Sequence, residues 1–449
     1  MDEQRLKRAL RQGPPFATPY VPSSLALEEQ PAVGGSISLR RVAMILALAG
    51  LLIAGMVAGS LAMGLVRRDV RPVSNGWIAF TRFGSGPTGP DGWTGRDIYL
   101  VREGETANRI VGSDSDGLDQ ICPAFSADGR RLAYGEAHGT PDAAYRDAAL
   151  VIADIDAAGN ASESRRIPVG GTFAPPCAVW SADGRRVAFG VGHASRGYNR
   201  PAVDDAVWVA TVSDGKVKML PGLPVTALKW SPADSTLAIA RGAVDPAGKA
   251  LGDGPDRLDG SISLYDANTG AMRTLVGPGP WGVWSLTWAP DGRRIAYQRG
   301  GSDSGATDQQ ILAVQVDGSG ESVLERGFRA IYGVGPVWSP TGDRIVYQRW
   351  TGGEAHDVVL VAPDGATKKV VVPGVRLPGT DPKVTWRPDS ITWSPDGKEL
   401  LYSAWSHGEE PRERRNLIAV PLGGASNPVV LVEGVETAGE NRSWGRLPD

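Results

Sequence analysis

At 449 residues the chain is long enough for a large core, and its 59 glycines and 34 prolines mark a turn-rich globular protein, not a disordered one. A net charge of −3 leaves no long-range basic field, so nucleic acid is not an expected partner.

Residues 1–41 are polar, carry Pro14, Pro15, Pro19, Pro22 and Pro31, and lack apolar periodicity beyond a short basic stretch from Glu3 to Arg11. A disordered cytoplasmic tail is expected there. Residues 42–66 are apolar and uncharged throughout. At 1.5 Å rise per residue, a helix of this length spans a hydrocarbon core of ~30 Å. Arg40 and Arg41 precede it, and Arg67 and Arg68 follow. Ser60-Leu61-Ala62 resembles a signal-peptidase site. The long leader and long apolar run argue instead for one uncleaved transmembrane helix. Gly55 and Gly59 form a small-xxx-small pair, a weak signal for helix packing. The short tail, with Arg5, Lys7, Arg8 and Arg11, is the end expected to stay inside, because long domains translocate largely regardless of charge. The expectation is a single-pass cell-membrane protein with its N-terminus cytoplasmic, a linker at 67–74, and an extracytoplasmic domain from 75 to 449.

That domain is built on a recurring stretch. Its clearest copy is Ile391-Thr392-Trp393-Ser394-Pro395-Asp396-Gly397-Lys398-Glu399-Leu400-Leu401-Tyr402. Other copies centre on Phe125, Trp180, Trp230, Trp288 and Trp338, at intervals of 50 to 58 residues. Nine positions after each marker ring stands Tyr134, Phe189, Ile239, Tyr297, Tyr347 or Tyr402. Proline presets the first turn corner, aspartate bonds its own backbone, and glycine accepts the left-handed corner, so each copy predicts a β-hairpin. In the copy at Trp230, Asp234 replaces the glycine, and Asp tolerates that corner better than most residues. A third strand follows every hairpin, as in Asp97-Ile98-Tyr99-Leu100-Val101, Ser261-Ile262-Ser263-Leu264-Tyr265, Gln310-Ile311-Leu312-Ala313-Val314 and Asp357-Val358-Val359-Leu360-Val361. A short outer strand such as Lys369-Val370-Val371-Val372 completes four strands per unit. Trp386-Arg387-Pro388-Asp389, a near-copy just before the last marker, loosens the register there.

The Trp-Ser-Pro-Asp-Gly turn, followed by an aromatic strand and an Ile-Tyr-Leu-Val type strand, resembles the repeat of the TolB-type, WD-repeat-like propeller family over about 375 residues. The resemblance implies an all-β fold. The family's namesake is periplasmic, with six blades and an extra domain. Seven third strands are read here, so a seven-bladed β-propeller is expected, with six or eight blades as alternatives. Trp77-Ile78-Ala79-Phe80 is an aromatic strand with no marker before it. The C-terminal segment Asn441–Leu447 is left over to pair beside it and close the ring.

Cys122 and Cys177 each stand three residues before a marker, in neighbouring blades. They are either a disulfide stapling two blades in an oxidising compartment or two buried thiols.

Chemistry is sparse in the sequence. There is no Gly-x-Ser-x-Gly elbow, no phosphate-binding loop, and no motif for a cofactor. His138, His193 and His407 fall in loops after second strands, and His356 is the fourth histidine. Their spacing supports no metal site. The acidic stretches 114–119 and 253–259 do not complete a calcium loop and read as solvated turns.

A sharper pattern is Arg82, Arg241, Arg299 and Arg349, each two residues beyond the aromatic position of a second strand. Trp93, Trp281, Trp350 and Trp405 accompany them in loops of the same face. Guanidinium forks beside flat aromatics suit an anionic, peptidic or sugar-like partner, unless the arginines pair locally with acids such as Asp245 and Asp303. The expected function is a non-enzymatic, membrane-anchored scaffold or sensor binding a protein, peptide or glycan, with no cofactor. The alternative is an enzyme, a lyase or hydrolase, acting at the mouth of the propeller channel.

Overall fold

In the structure, a computed structural model, the described residues run from 75 to 446, less 84–94, 103–104, 112–117, 140–144, 170–175, 192–205, 221–224, 243–259, 302–307, 330–334, 353–354, 373–384, 408–413, 424–427 and 434–441. The side chains of some strand-end residues, including 385–390 and 404–407, also lie outside the description. The expected tail 1–41, helix 42–66 and linker 67–74 fall outside it too. Among the described residues no helix is long and apolar enough to cross a membrane.

Each hairpin closes as its turn chemistry dictates. In blade 7 the Ser394 hydroxyl donates to Asp396 at 2.6 Å and accepts the Glu399 N–H at 2.9 Å. The Gly397 N–H returns to the Ser394 carbonyl, with φ at 73°. Ser126–Asp128 and Ser181–Asp183 repeat the device in blades 2 and 3. Blade 4 departs from expectation. Asp234 does not enter the left-handed region. The Ser231 hydroxyl instead accepts the Ala233 and Asp234 N–H groups, and Asp234 caps the Thr236 N–H, so this turn closes without a left-handed residue.

The described residues form seven four-stranded antiparallel sheets. Blade 5 is typical, with inner strand Gly282–Trp288, second strand Arg294–Gly300, third strand Gln309–Gln315 and outer strand Ser322–Phe328. In blade 7 the near-copy at Trp386 lies inside one inner strand, Thr385–Trp393, and Trp393 holds the marker register opposite Leu400.

Blade 1 joins the two ends of the domain. Arg442–Arg446 is its inner strand and pairs with Asn75–Phe83, placing Trp444 opposite Ile78. Every other marker likewise faces the residue two before the aromatic position, as Trp288 faces Ile295. Trp444 is therefore the seventh marker, and the ring closes where the leftover segment was expected to close it.

Neighbouring blades supply the core. Seven apolar clusters lie one at each blade-to-blade interface, the closing one joining Ile78 and Phe80 of blade 1 to Leu401 and Leu417 of blade 7. A blade is covered on both faces, which is why third strands such as Leu150-Val151-Ile152 are continuously apolar. The marker indoles tie these layers together. Trp180 donates to the Ala124 carbonyl, Trp230 to Val179, Trp288 to Lys229 and Trp393 to Val337, at 2.8 to 3.1 Å. Each acceptor is the residue before the preceding blade's marker. Such a bond contributes about 1 kcal/mol, and its larger effect is to fix how adjacent blades register. Cys122 and Cys177 form a disulfide between blades 2 and 3, with Cα atoms 5.1 Å apart.

Candidate functional site

Strand direction gives the propeller two unlike ends. The inner-to-second and third-to-outer turns lie at one end. The second-to-third loops and the blade-to-blade connections lie at the other.

The turn end is occupied by structure. Arg131 stacks over Trp180 at 5.1 Å and donates to the Gly184 carbonyl. Arg294 covers Trp338 at 4.9 Å. Arg165 reaches the Ser213 carbonyl, Arg186 reaches Asn268, and Arg273 reaches the Val316 carbonyl, each in the next blade. A groove of about 240 Å3 lies here, between Trp230, Trp288, Trp338 and the turn prolines Pro232, Pro290 and Pro340. Its three indoles are almost wholly buried, and two of them donate to blade carbonyls, so it reads as a seam between turns.

The loop end holds the predicted arginines, all at the closing end of second strands. Arg299 lies over Trp281 at 4.3 Å, donates to Gln310 at 3.2 Å and approaches Glu321 at 3.4 Å. Arg349 pairs with Asp357 at 2.9 Å. Arg82 is exposed, opposite Asp97 in register and 6.0 Å from the Tyr99 ring. Arg241 stands opposite Ser261, and its Nε is buried without a hydrogen-bond partner. Of the named pairing candidates, Asp245 and Asp303 lie outside the described residues. Apart from Glu321, which precedes the outer strand of blade 5, the partners that do appear stand near the openings of third strands, one step across the sheet.

Two tryptophans are not where loops were expected. Trp350 lies in the second strand Ile345–Gly352 and is covered by Arg329 at 4.5 Å, and Trp405 lies in the strand Glu399–His407. Strands at this end run further than the aromatic spacing implies. Trp281 sits in the connection between blades 4 and 5, and Trp93 is outside the described residues. His138 and His407 close second strands, His356 is buried in a third strand, and His193 is outside the description. No group of three or more His, Cys, Asp or Glu side chains is placed to hold a metal among the described residues.

The structure adds a polar network that the sequence did not single out. Arg96 grips Asp119 with two bonds of 2.7 and 2.5 Å, and the Tyr145 hydroxyl donates to the same carboxylate at 2.9 Å. Burial first, and then the charge of Asp119, push the Tyr145 phenol well above its ordinary range and keep it a donor. Beside this trio, Glu136 bonds Arg166 at 2.5 Å and Gln120 at 3.3 Å. Asp119 belongs to the stretch 114–119 that the sequence assigns to a solvated turn. It is the start of an inner strand, fully buried against blade 1. The only sequence signal was an acid in phase with the apolar residues of that strand.

No protein-family model matches the chain, and no curated protein matches it either. Solved structures do resemble it. The β-propeller domain of the trilobed protease from Pyrococcus furiosus, described as having an open velcro topology, matches with a TM-score of 0.51 and 10% identity, over 81% of this chain and 97% of that one. An oligogalacturonate lyase in complex with manganese matches with a TM-score of 0.50 and 13% identity, over 78% and 97%. TolB from Acinetobacter baumannii matches with a TM-score of 0.41 and 18% identity, over 65% of this chain and 62% of that protein. At these identities the likeness is one of fold.

Proposed function

We propose that this β-propeller is a non-enzymatic binding module that holds a protein, peptide or glycan partner at its loop end. It is anchored by the apolar segment 42–66, with the propeller outside the cell. The observation that carries this reading is the inequality of the two ends. At the turn end, hydroxyls are largely consumed within the turns, and indoles and arginines by contacts between blades. The loop end presents Arg82, Arg299, Arg349 and Trp350 on strands and Trp281 on the connection into blade 5, which suits a functional surface. The buried carboxylates Asp119 and Glu136 are each neutralised by an arginine, which argues against their serving as free acid or base. The disulfide supports an oxidising compartment.

The test is affinity capture by the full chain from its native envelope, with mass spectrometry of what is retained. Charge reversal at the loop end, Arg82→Glu with Arg299→Glu, should cut retention at least tenfold. The same change at the exposed turn-end residues Arg130 and Arg185 should leave it intact. Equal loss in both variants, or turnover of a small molecule with nothing retained, would overturn the reading.

A further inference from the structure

Every blade ends in an outer strand with one free edge, and six of these edges are irregular. The register between third and outer strand shifts in blades 1, 2, 4, 5, 6 and 7, which spoils an edge for further pairing. Among the described residues only blade 3 holds that register without a break, from Val207 opposite Leu220 to Ala210 opposite Val217. Its outer strand, Val217–Leu220, is the terminal strand of its sheet and offers a regular edge.

One bond sets which groups face outward. The Thr211 N–H donates to the Lys216 carbonyl at 2.9 Å. The alternation of an antiparallel ladder then turns the backbone groups of Lys216, Lys218 and Leu220 toward the third strand, and those of Val217 and Met219 outward. The same two residues carry exposed apolar side chains. Val217 is 38% exposed and Met219 is 64% exposed, the most of any large apolar residue described. Met219 stands opposite the half-buried Trp208. Blade 7 also exposes Val429 and Val430 on its outer strand, but there the extra residue Leu431 interrupts the ladder. Lys216 and Lys218 alternate with the apolar pair and so take the other face of the strand. Lys216 pairs with Asp214 at 3.0 Å. Lys218 lies over the Tyr265 ring of blade 4 at 5.3 Å and pairs with no carboxylate among the described residues. The strand itself holds no acid.

We infer that this edge takes up an extended segment of a partner protein, which adds to blade 3 as a fifth strand and alternates apolar with acidic residues. Its apolar positions pair with Val217 and Met219 through the outward backbone groups, and its acids stand opposite Lys216 and Lys218. A second copy of the chain is a poor occupant. Pairing Val217 of each copy with Met219 of the other sets Lys218 directly against Lys218. The lysines therefore guard the edge against its own kind and leave it open to an acidic strand. This surface lies on the outer rim and does not rest on the loop-end reading.

Fluorescence anisotropy of the purified full chain at low salt tests the assignment, with a fluorescein-labelled peptide of sequence Val-Glu-Val-Glu-Val-Glu as the probe. The probe should bind saturably. N-methylation of its valines, whose N–H groups face the edge, should weaken binding at least tenfold. N-methylation of its glutamates, whose N–H groups face away, should change it less than threefold. Met219→Pro removes an outward N–H and spares the ladder to the third strand, and it should weaken binding at least tenfold. If that variant fails to fold, Met219→Lys should weaken binding at least threefold. Lys218→Glu should turn the preference toward a Val-Lys-Val-Lys-Val-Lys peptide. No saturable binding, equal binding by the valine-methylated probe, unchanged affinity in the Met219 variants or unchanged preference in Lys218→Glu overturns the assignment. A dimer of the chain that Met219→Lys dissociates would overturn it too, since the occupant would then be a second copy.

Discussion

At the scale of single residues, the turn aspartates do more than favour a corner. Burial opposes the ionisation of Asp128. The Ser126 hydroxyl, the Arg130 N–H and the Arg131 guanidinium outweigh it, and the carboxyl titrates below its ordinary value. Asp183 and Asp343 shift in the same direction, with burial opposed by Ser181 in one case and by Thr341 and Ser339 in the other. A group whose folded pKa is depressed stabilises the fold above its unfolded pKa, roughly 3.9 for Asp, and that stability is lost as pH falls through the lower folded value. The thermal midpoint should therefore be flat down to about pH 5 and fall steeply below about pH 4. The triple variant Asp128→Asn, Asp183→Asn, Asp343→Asn should start from a lower midpoint, with each lost interaction on the order of 1 kcal/mol, and should fall less steeply in acid. Parallel acid profiles for parent and variant would remove the turn carboxylates from the account.

At the scale of elements, the C-terminal strand carries a load out of proportion to its length. Arg442–Arg446 is the inner strand of blade 1, and without it the Asn75–Phe83 strand becomes a bare edge beside the closing cluster of Ile78, Phe80, Leu401 and Leu417. Removing 438–449 should lower the thermal midpoint by at least ~5 °C and promote association through that edge, read by calorimetry and light scattering. A truncated chain that melts with the parent and stays monodisperse would show that the ring does not depend on closure. This strand also marks how far the sequence could be read. Marker spacing gave the blades, their register and the leftover closing segment, because hairpin turns and alternation are local. The bulged inner strand around Cys122, the length of the strands carrying Trp350 and Trp405, and the Arg96–Asp119–Tyr145 trio were not legible. Each depends on which side chains from separate blades meet, and that is settled only when the ring closes. The loop-end arginines lay in between. Their register is visible, but Gln310 and Asp357 read as the first letters of strands, and nothing local shows that one accepts a hydrogen bond from Arg299 and the other pairs with Arg349.

At the scale of the whole molecule, the ring is a closed series of seven similar interfaces, and its weakest member limits its integrity. Most are joined by an apolar layer and a marker indole bonded to the preceding blade. Phe125 has no indole to give blade 1, and there the buried Arg96–Asp119 pair spans the interface. The Trp338 indole finds no acceptor in blade 5, and its backbone N–H bonds the Thr287 hydroxyl at 3.3 Å. Blades 2 and 3 already have the Trp180 bond, and they also have the disulfide. The cross-link is thus not a substitute for a missing contact. Its effect falls on the unfolded chain, where it closes a loop across a sequence separation of 55 residues. Loop-closure entropy for that length is worth about 4 kcal/mol at 25 °C. The variant Cys122→Ser with Cys177→Ser should therefore keep the native circular dichroism and the loop-end binding, while its urea midpoint falls. Its m-value should rise at the same time, since an unfolded chain freed of the link exposes more surface. A reductant should move the parent chain to the variant's curve and leave the variant unchanged. If midpoint and m-value are the same with and without the link, the non-covalent interfaces alone set the stability of the ring.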